Sequence, residues 1–328
     1  MSWPSPLRTD GYRPVLRSWP LPTTLFGFVW RLSAADQVWI AILTVAVVFL
    51  DTVPIEVQRR IVNSLTVGHA FQPVLLLALT YAGLVVVQGG LKLLMNIYRA
   101  WVSENSIRSL RSFINKRGLG TKPEADKAKD LGVEISIIVA EADPVGSFVG
   151  SSISSPLQQI GILISVLGYL TYLNPLMALA TFIVISPQLV LVPLIQLSIN
   201  RRVQKRITTL RAASAALVGE EEHEHDNSRQ EARFEKVFTF NMGIFKLKYS
   251  LNFVMNLTHH LATVTVLGLG GWDVINGETE VGTVVAFVSG LSTIHDPWGD
   301  LVSWFQDFMV TSAKYDLIAG VVNENEHP

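Results

Sequence analysis

Apolar residues in this chain occur in long continuous runs rather than at the short spacing of amphipathic helices. A helix needs about 20 such residues to cross the ~30 Å hydrocarbon core of a bilayer. The pattern therefore predicts an all-α, polytopic membrane protein with six transmembrane helices. The predicted spans cover residues 37–57, 73–98, 153–173, 175–199, 250–275 and 282–306.

The polar connections between these spans differ in length and charge. The connections at Asn174 and 276–281 are very short, whereas 99–150 and 200–249 are long, basic and helical in pattern. With both termini inside, 23 of the 26 Lys and Arg residues fall on the inner side, as the positive-inside rule requires. We therefore expect cytosolic termini, long intracellular helical extensions, and a place in the bacterial inner (plasma) membrane.

The predicted domain organisation is simple. Residues 1–30 are proline-rich and predict an irregular cytosolic arm, residues 31–322 form the six-helix transmembrane domain, and residues 323–328 are a short tail. The composition supports membrane insertion, because the chain is 49% hydrophobic and only 16% charged, against about 25% charged in soluble domains.

Composition also excludes several kinds of chemistry. The chain has no cysteine and a net charge of −1, which removes thiolate metal sites and gives no basic field for nucleic acid. It contains no H-E-x-x-H motif and no nucleophile elbow. We expect no metal, no cofactor and no catalytic residue.

Several motifs occur in the order and spacing of one membrane-protein family. Residues 277–287, Gly-Glu-Thr-Glu-Val-Gly-Thr-Val-Val-Ala-Phe, are similar to the start of the sixth helix in the transmembrane domain of exporter-type ABC transporters. Residues 131–143 resemble that family's entry into helix three, Asn174-Pro175 its turn between helices three and four, and 313–324 its linker to the ATPase domain.

The resemblance implies a substrate pathway between two such domains, hence a homodimer or a heterodimer with a related subunit, each coupled to an ATPase domain. The dipeptide Gly-Lys of the P-loop never occurs here, and there is no LSGGQ-like segment. Because a P-loop needs these residues to hold phosphates, we expect no ATP binding by this chain. A separate ATP-binding subunit is the expected partner, with the lipid bilayer.

The family's second intracellular loop carries a largely apolar coupling helix. The matching stretch in this chain, 217–226, is acidic and contains histidines instead, which departs from the family pattern. Its members Glu222, His223, Glu224 and His225 are the coupling-loop candidates. A solvated charged loop is the preferred interpretation over a divalent metal site.

Polar residues within the spans are candidates for the substrate pathway, because ionisable groups at membrane depth usually face a cavity or a partner. A stripe on helix six contains Asp296, Asp300, Ser303 and Asp307. Asn256 and His259 share a face of helix five, where His259 could meet Asp296. The competing interpretations are a solvated extension for Asp307 and interhelical hydrogen bonding for the helix-five residues.

Helix two adds one further candidate, Lys92, on the face that also carries Tyr81 and Gln88. Lys92 is expected either to extend toward the interface or to form a pair. A direct pair with Asp51 is not expected, because Asp51 lies nearer the outer end of its own helix.

The leading functional hypothesis is a permease subunit that works with a separately encoded ATPase. The alternative is a stand-alone, proton-coupled secondary transporter on the same scaffold, an arrangement that resembles the SbmA/BacA-like peptide transporters without a motif match to them. The third hypothesis is a regulatory membrane subunit that does not transport.

Overall fold

A computed structural model describes residues 21–68, 71–118, 142–218 and 226–324 of the chain. The described residues form six long helices and contain no β-strand. The helices are α1 (Leu25–Thr66), α2 (Phe71–Gly118), α3 (Ser154–Leu173), α4 (Pro175–Val218), α5 (Asp226–Ile275) and α6 (Val281–Glu324), and a helical segment at 142–151 precedes α3. The predicted all-α class is confirmed.

Four helical stretches in the described part of the chain are long and apolar enough to cross a membrane. They are Leu25–Thr66, Phe71–Ile114, Ala142–Leu173 and Pro175–Leu210. Together with the all-helical fold, these stretches make the chain an integral membrane protein. Helices α5 and α6 are not among the four, and both contain polar residues in their middle portions, among them His259 and Asp296.

Five of the six helices are much longer than a bilayer is thick, and three of these five contain the long polar connections. Helix α2 has 48 residues, α4 has 44 and α5 has 50. At 1.5 Å per residue these lengths correspond to roughly 65–75 Å, about twice the hydrocarbon thickness. The described parts of the two long polar connections, 99–118, 142–150, 200–218 and 226–249, are thus helical, as the sequence pattern predicted.

The start of α1 differs from the irregular arm predicted over 1–30. The helix begins at Leu25, where the Thr24 hydroxyl caps it by accepting a hydrogen bond from the Gly27 N–H at 3.2 Å. Leu25 and Phe28 are almost fully buried, and this burial stabilises a short amphipathic helix. Ser33, at φ −145° and ψ 32°, interrupts the helix before the first apolar run. At the other end of the chain, α6 continues to Glu324, into the predicted tail.

The helices fall into two compact units. The first comprises the described residues up to Val166 together with those from Ser303 onward, and the second comprises Leu167–Val302. In the first unit, Phe148, Trp304 and Phe308 pack with ring centroids 6.0–6.2 Å apart.

Tyr315 extends the aromatic packing of the first unit. Its ring is fully buried and lies 5.2 Å from that of Phe28. Its hydroxyl donates a hydrogen bond to the Pro22 carbonyl at 2.6 Å, and burial raises the pKa of Tyr315. The C-terminal part of α6 therefore holds the start of α1 in place.

A close helix crossing in the same unit depends on glycine. A Cβ at Gly146 would lie 2.6 Å from the backbone nitrogen of Ile107 in α2. A Cβ at Gly150 would collide with the carbonyl oxygen of Arg99. Because both obstacles are backbone atoms, the segment 142–151 can lie this close to α2 only without side chains at these positions.

Candidate functional site

The second unit contains a cluster of imidazoles between α5 and α6. The ring of His259 lies 5.0 Å from that of His295 on α6 and 5.5 Å from that of His260. Asp296 is close enough for its charge to act on His259. The two residues make no ion pair with each other. The predicted proximity of His259 and Asp296 is therefore found, with His295 as the nearer group.

The register of the α5–α6 hairpin brings these groups together. Gly277 adopts the left-handed conformation, with φ +73°, in the turn after α5. Residues equally distant from Gly277 face each other, because a Cβ on Gly270 would meet Val284 at 2.8 Å and His259 meets His295. His295 was missed by the sequence analysis. The position of Gly277 in a short turn was the signal that could have placed it opposite His259.

The other predicted pathway residues are distributed along the two helices. Asn256 is exposed one helical turn before His259 on α5, and Asp300 is exposed on α6 one turn after Asp296. Ser303 and Asp307 belong to the first unit, where both are exposed. Although the residue is exposed as a whole, partial burial of its carboxyl group raises the pKa of Asp307, which lies just outside the predicted span 282–306. The structure thus brings His259 and Asp296 together, and Asp307 belongs to a separate environment.

A second polar group lies between α1 and α2. Gln88 donates a hydrogen bond to Oδ1 of Asp51, and the charge of Lys92 acts on the same carboxylate. Oδ2 of Asp51 is buried and has no hydrogen-bond partner among the described residues. The carboxylate of Asp51 thus lies nearer to Lys92 along the helices than the sequence analysis expected, one helical turn away through its bond to Gln88. Asp51 itself was not among the site residues chosen from the sequence.

The Asp51–Gln88 contact is one of three that recur every seven residues along both helices. Gln58 donates to the Tyr81 hydroxyl at 3.1 Å, and Thr44 contacts the Met95 sulfur at 3.5 Å. A seven-residue repeat of contacts is typical of helices that coil around each other with a left-handed twist. Tyr81 and Gln88 therefore occupy one face of α2, as predicted, and that face packs on α1.

Polar contacts connect the helix ends at Asn174 and Asp273 in the second unit. The side-chain carbonyl of Asn174 caps α4 by accepting from the N–H groups of Leu176 and Met177, both at 3.1 Å. Its amide donates to the buried carboxylate of Asp273 at 3.3 Å. The two connections predicted to be short, at Asn174 and after α5, are thus compact turns.

The coupling-loop candidates cannot be placed. Glu222, His223, Glu224 and His225 lie outside the described residues, between the end of α4 and the start of α5. Their assignment stays a prediction.

The fold and its intramembrane polar groups define a polytopic α-helical membrane protein. The family model of the ABC transporter transmembrane region matches residues 38–221, more than half of the chain. The chain belongs to this family, and the resemblance to an exporter-type ABC transmembrane domain is confirmed. No curated protein matches the sequence significantly.

Proposed function

We propose that the chain is the permease subunit of an ABC-exporter-like transporter that moves a substrate across the membrane with a separately encoded ATPase. The observation that carries this proposal is the family match over residues 38–221. The lengths of α4 and α5 support it, because helices of 44 and 50 residues extend well beyond the bilayer and could present a docking surface to an ATPase.

Two finer features belong to the same proposal. Helices α5 and α6 complete a set of six spans with both termini cytosolic, in the inner membrane of a bacterium. Two copies, or one copy and a related subunit, enclose the substrate pathway. Reporter fusions after Gly68 and Gly277 should be located outside, and fusions after Lys122 and Arg229 inside. A reversed signal at any of these positions would contradict six spans.

The proposal that a separate subunit binds ATP is tested with the purified chain. We expect no saturable, magnesium-dependent ATP binding, because the sequence has no Gly-Lys dipeptide of a phosphate-binding loop. Transport in proteoliposomes should then require addition of an ATPase subunit and ATP. Saturable ATP binding at micromolar concentration by the chain alone would refute the proposed division.

The imidazole cluster favours a second candidate function, a proton-coupled secondary transporter on the same scaffold. The ring of His259 contacts those of both His260 and His295, near Asp296, and histidine exchanges protons near neutral pH. Such a carrier would transport in response to a pH gradient without ATP.

Vesicle transport with and without an imposed pH gradient separates the two candidates. The variant Asp296→Asn removes the carboxylate charge at nearly constant size, and His295→Asn removes the imidazole that faces His259. Under proton coupling both variants should lose gradient-driven transport, while Asp307→Asn, outside the cluster, should have a mild effect. Transport by Asp296→Asn equal to the parent under both conditions would exclude proton coupling through this cluster.

A further inference from the structure

A concentration of positive charge marks one end of the apolar part of the α4–α5 hairpin. The apolar run of α4 ends at Ile199, and Arg201, Arg202, Lys205 and Arg206 follow it directly. Helix α4 contains no acidic residue, and α5 contains none between Glu235 and Asp273. Lys246 and Lys248 add two cations on α5. None of these six cations makes an ion pair with another described residue.

Two of the arginines are positioned by contacts between the helices. The guanidinium of Arg202 lies against the backbone of Gly243 on α5, where any Cβ would collide with it. Nη1 of Arg206 donates to the side-chain oxygen of Asn241 at 3.3 Å. Lys246 follows Gly243 by three residues and therefore shares its face of α5. Arg202 and Arg206 thus contact the same short stretch of α5, residues 241–243, and Lys246 lies about one helical turn beyond it.

One hydrogen-bond donor in this part of the hairpin has no acceptor. Nε of Arg206 is buried and has no hydrogen-bond partner among the described residues. A buried donor without a partner costs free energy. A ligand with several acceptor oxygens would neutralise the neighbouring cations, and it would satisfy this donor once the Arg206 side chain turns outward toward it.

The surroundings of the three cations are apolar on the membrane side. Leu194 and Leu197 of α4 and Phe253 of α5 are 52–66% exposed. The rings of Phe245 and Tyr249 stack at 6.3 Å beside Lys246, and Tyr249 is 65% exposed. Exposed aromatic rings are favoured at the boundary between lipid and water. The ligand that fits is therefore both phosphorylated and attached to acyl chains.

We propose that Arg202, Arg206 and Lys246 bind the phosphate of an anionic phospholipid headgroup at the membrane boundary, with its acyl chains along the exposed leucines and Phe253. Basic side chains at the ends of membrane helices commonly hold such headgroups. Gly243 contributes to the site, because a Cβ at this position would force the Arg202 guanidinium to move.

The test compares thermal unfolding of the purified full chain in phosphatidylcholine micelles at increasing phosphatidylglycerol content. Phosphatidylglycerol should raise the melting temperature of the parent saturably. Lys246→Gln should need about fivefold more phosphatidylglycerol for the same effect, the loss that one basic group near a membrane predicts. Gly243→Ala should weaken the response similarly without any change of charge, because it displaces Arg202.

Lys236→Gln is the matched control. Lys236 is an exposed lysine nearer the start of α5, away from the proposed site, and its removal changes the net charge equally. It should respond like the parent, and inorganic phosphate at the same concentration should produce no comparable shift. The proposal is overturned if Gly243→Ala and Lys246→Gln respond like the parent, or if Lys236→Gln loses as much. It is also overturned if inorganic phosphate alone reproduces the shift. Neither substitution removes a contact that holds the fold, so both variants should fold.

Discussion

The crossing of segment 142–151 over α2 should be intolerant of a single methyl group. An ideal Cβ at residue 146 would lie 2.5–2.7 Å from three atoms of Ile107, two of them backbone. Carbon atoms in favourable contact are about 3.5–4.0 Å apart, so Gly146→Ala forces the two helices apart by about 1 Å. Overpacking of this kind costs about 1–3 kcal/mol. At about 2–4 °C per kcal/mol for a unit of this size, the melting temperature should fall by about 2–12 °C.

A glycine-to-alanine substitution on the open surface of the same unit should not lower the melting temperature. Gly83 of α2 has no atom within 4 Å of its ideal Cβ, and alanine is favoured over glycine in a helix by up to about 1 kcal/mol. Gly83→Ala should therefore leave the melting temperature unchanged or raise it slightly. Thermal unfolding of both variants in one detergent, followed by tryptophan fluorescence, measures the difference. A Gly146→Ala variant that melts at or above the parent temperature would refute the close crossing.

Three further predictions concern polar groups of the first unit, each measured by thermal unfolding. Gln88→Leu deprives the Asp51 carboxylate of its hydrogen bond and should lower the free energy of unfolding by about 1–3 kcal/mol. The double variant Gln88→Leu, Asp51→Leu should regain most of this loss. A double variant no more stable than Gln88→Leu would contradict this. Tyr315→Phe removes the hydrogen bond to the Pro22 carbonyl and should cost about 0.5–1.5 kcal/mol, whereas an unchanged melting temperature would show that the bond contributes nothing. Burial raises the pKa of Asp307, so the unfolded chain ionises at lower pH and stability falls as pH rises from about 3.9 through the folded pKa. Asp307→Asn should therefore melt above the parent at pH 7 and match it near pH 3; a constant difference at both pH values would exclude this titration.

The six helices were predictable because each rests on a local property of the chain. The thickness of a bilayer sets the number of consecutive apolar residues that a span needs, and each predicted span falls within one observed helix. The short connections at Asn174 and after Ile275 were equally local, since proline, asparagine and glycine mark turns by their own conformational preferences. The family was predictable from motif order for the same reason.

Partners across helices were harder to predict, because they depend on which faces meet and in which register. Asp51 was evaluated against Lys92, yet its hydrogen bond is with Gln88. One helical turn separates the two candidates on α2, and only the packing of α1 on α2 selects between them. His259 was expected to meet Asp296, and the hairpin register places the adjacent His295 nearer to it than Asp296.

What the sequence by itself determined is the list of helices, the membrane character of the chain and its family, all carried by contiguous residues. What only the tertiary structure decided is the function of single positions within those helices. Gly146 and Gly243 are unremarkable in the sequence, but each lies where another helix brings a backbone or a guanidinium into the space of a side chain. Residues 25–30 follow a proline-rich segment, yet they become helical because burial of Leu25 and Phe28 against distant parts of the chain stabilises a helix that local propensity alone does not.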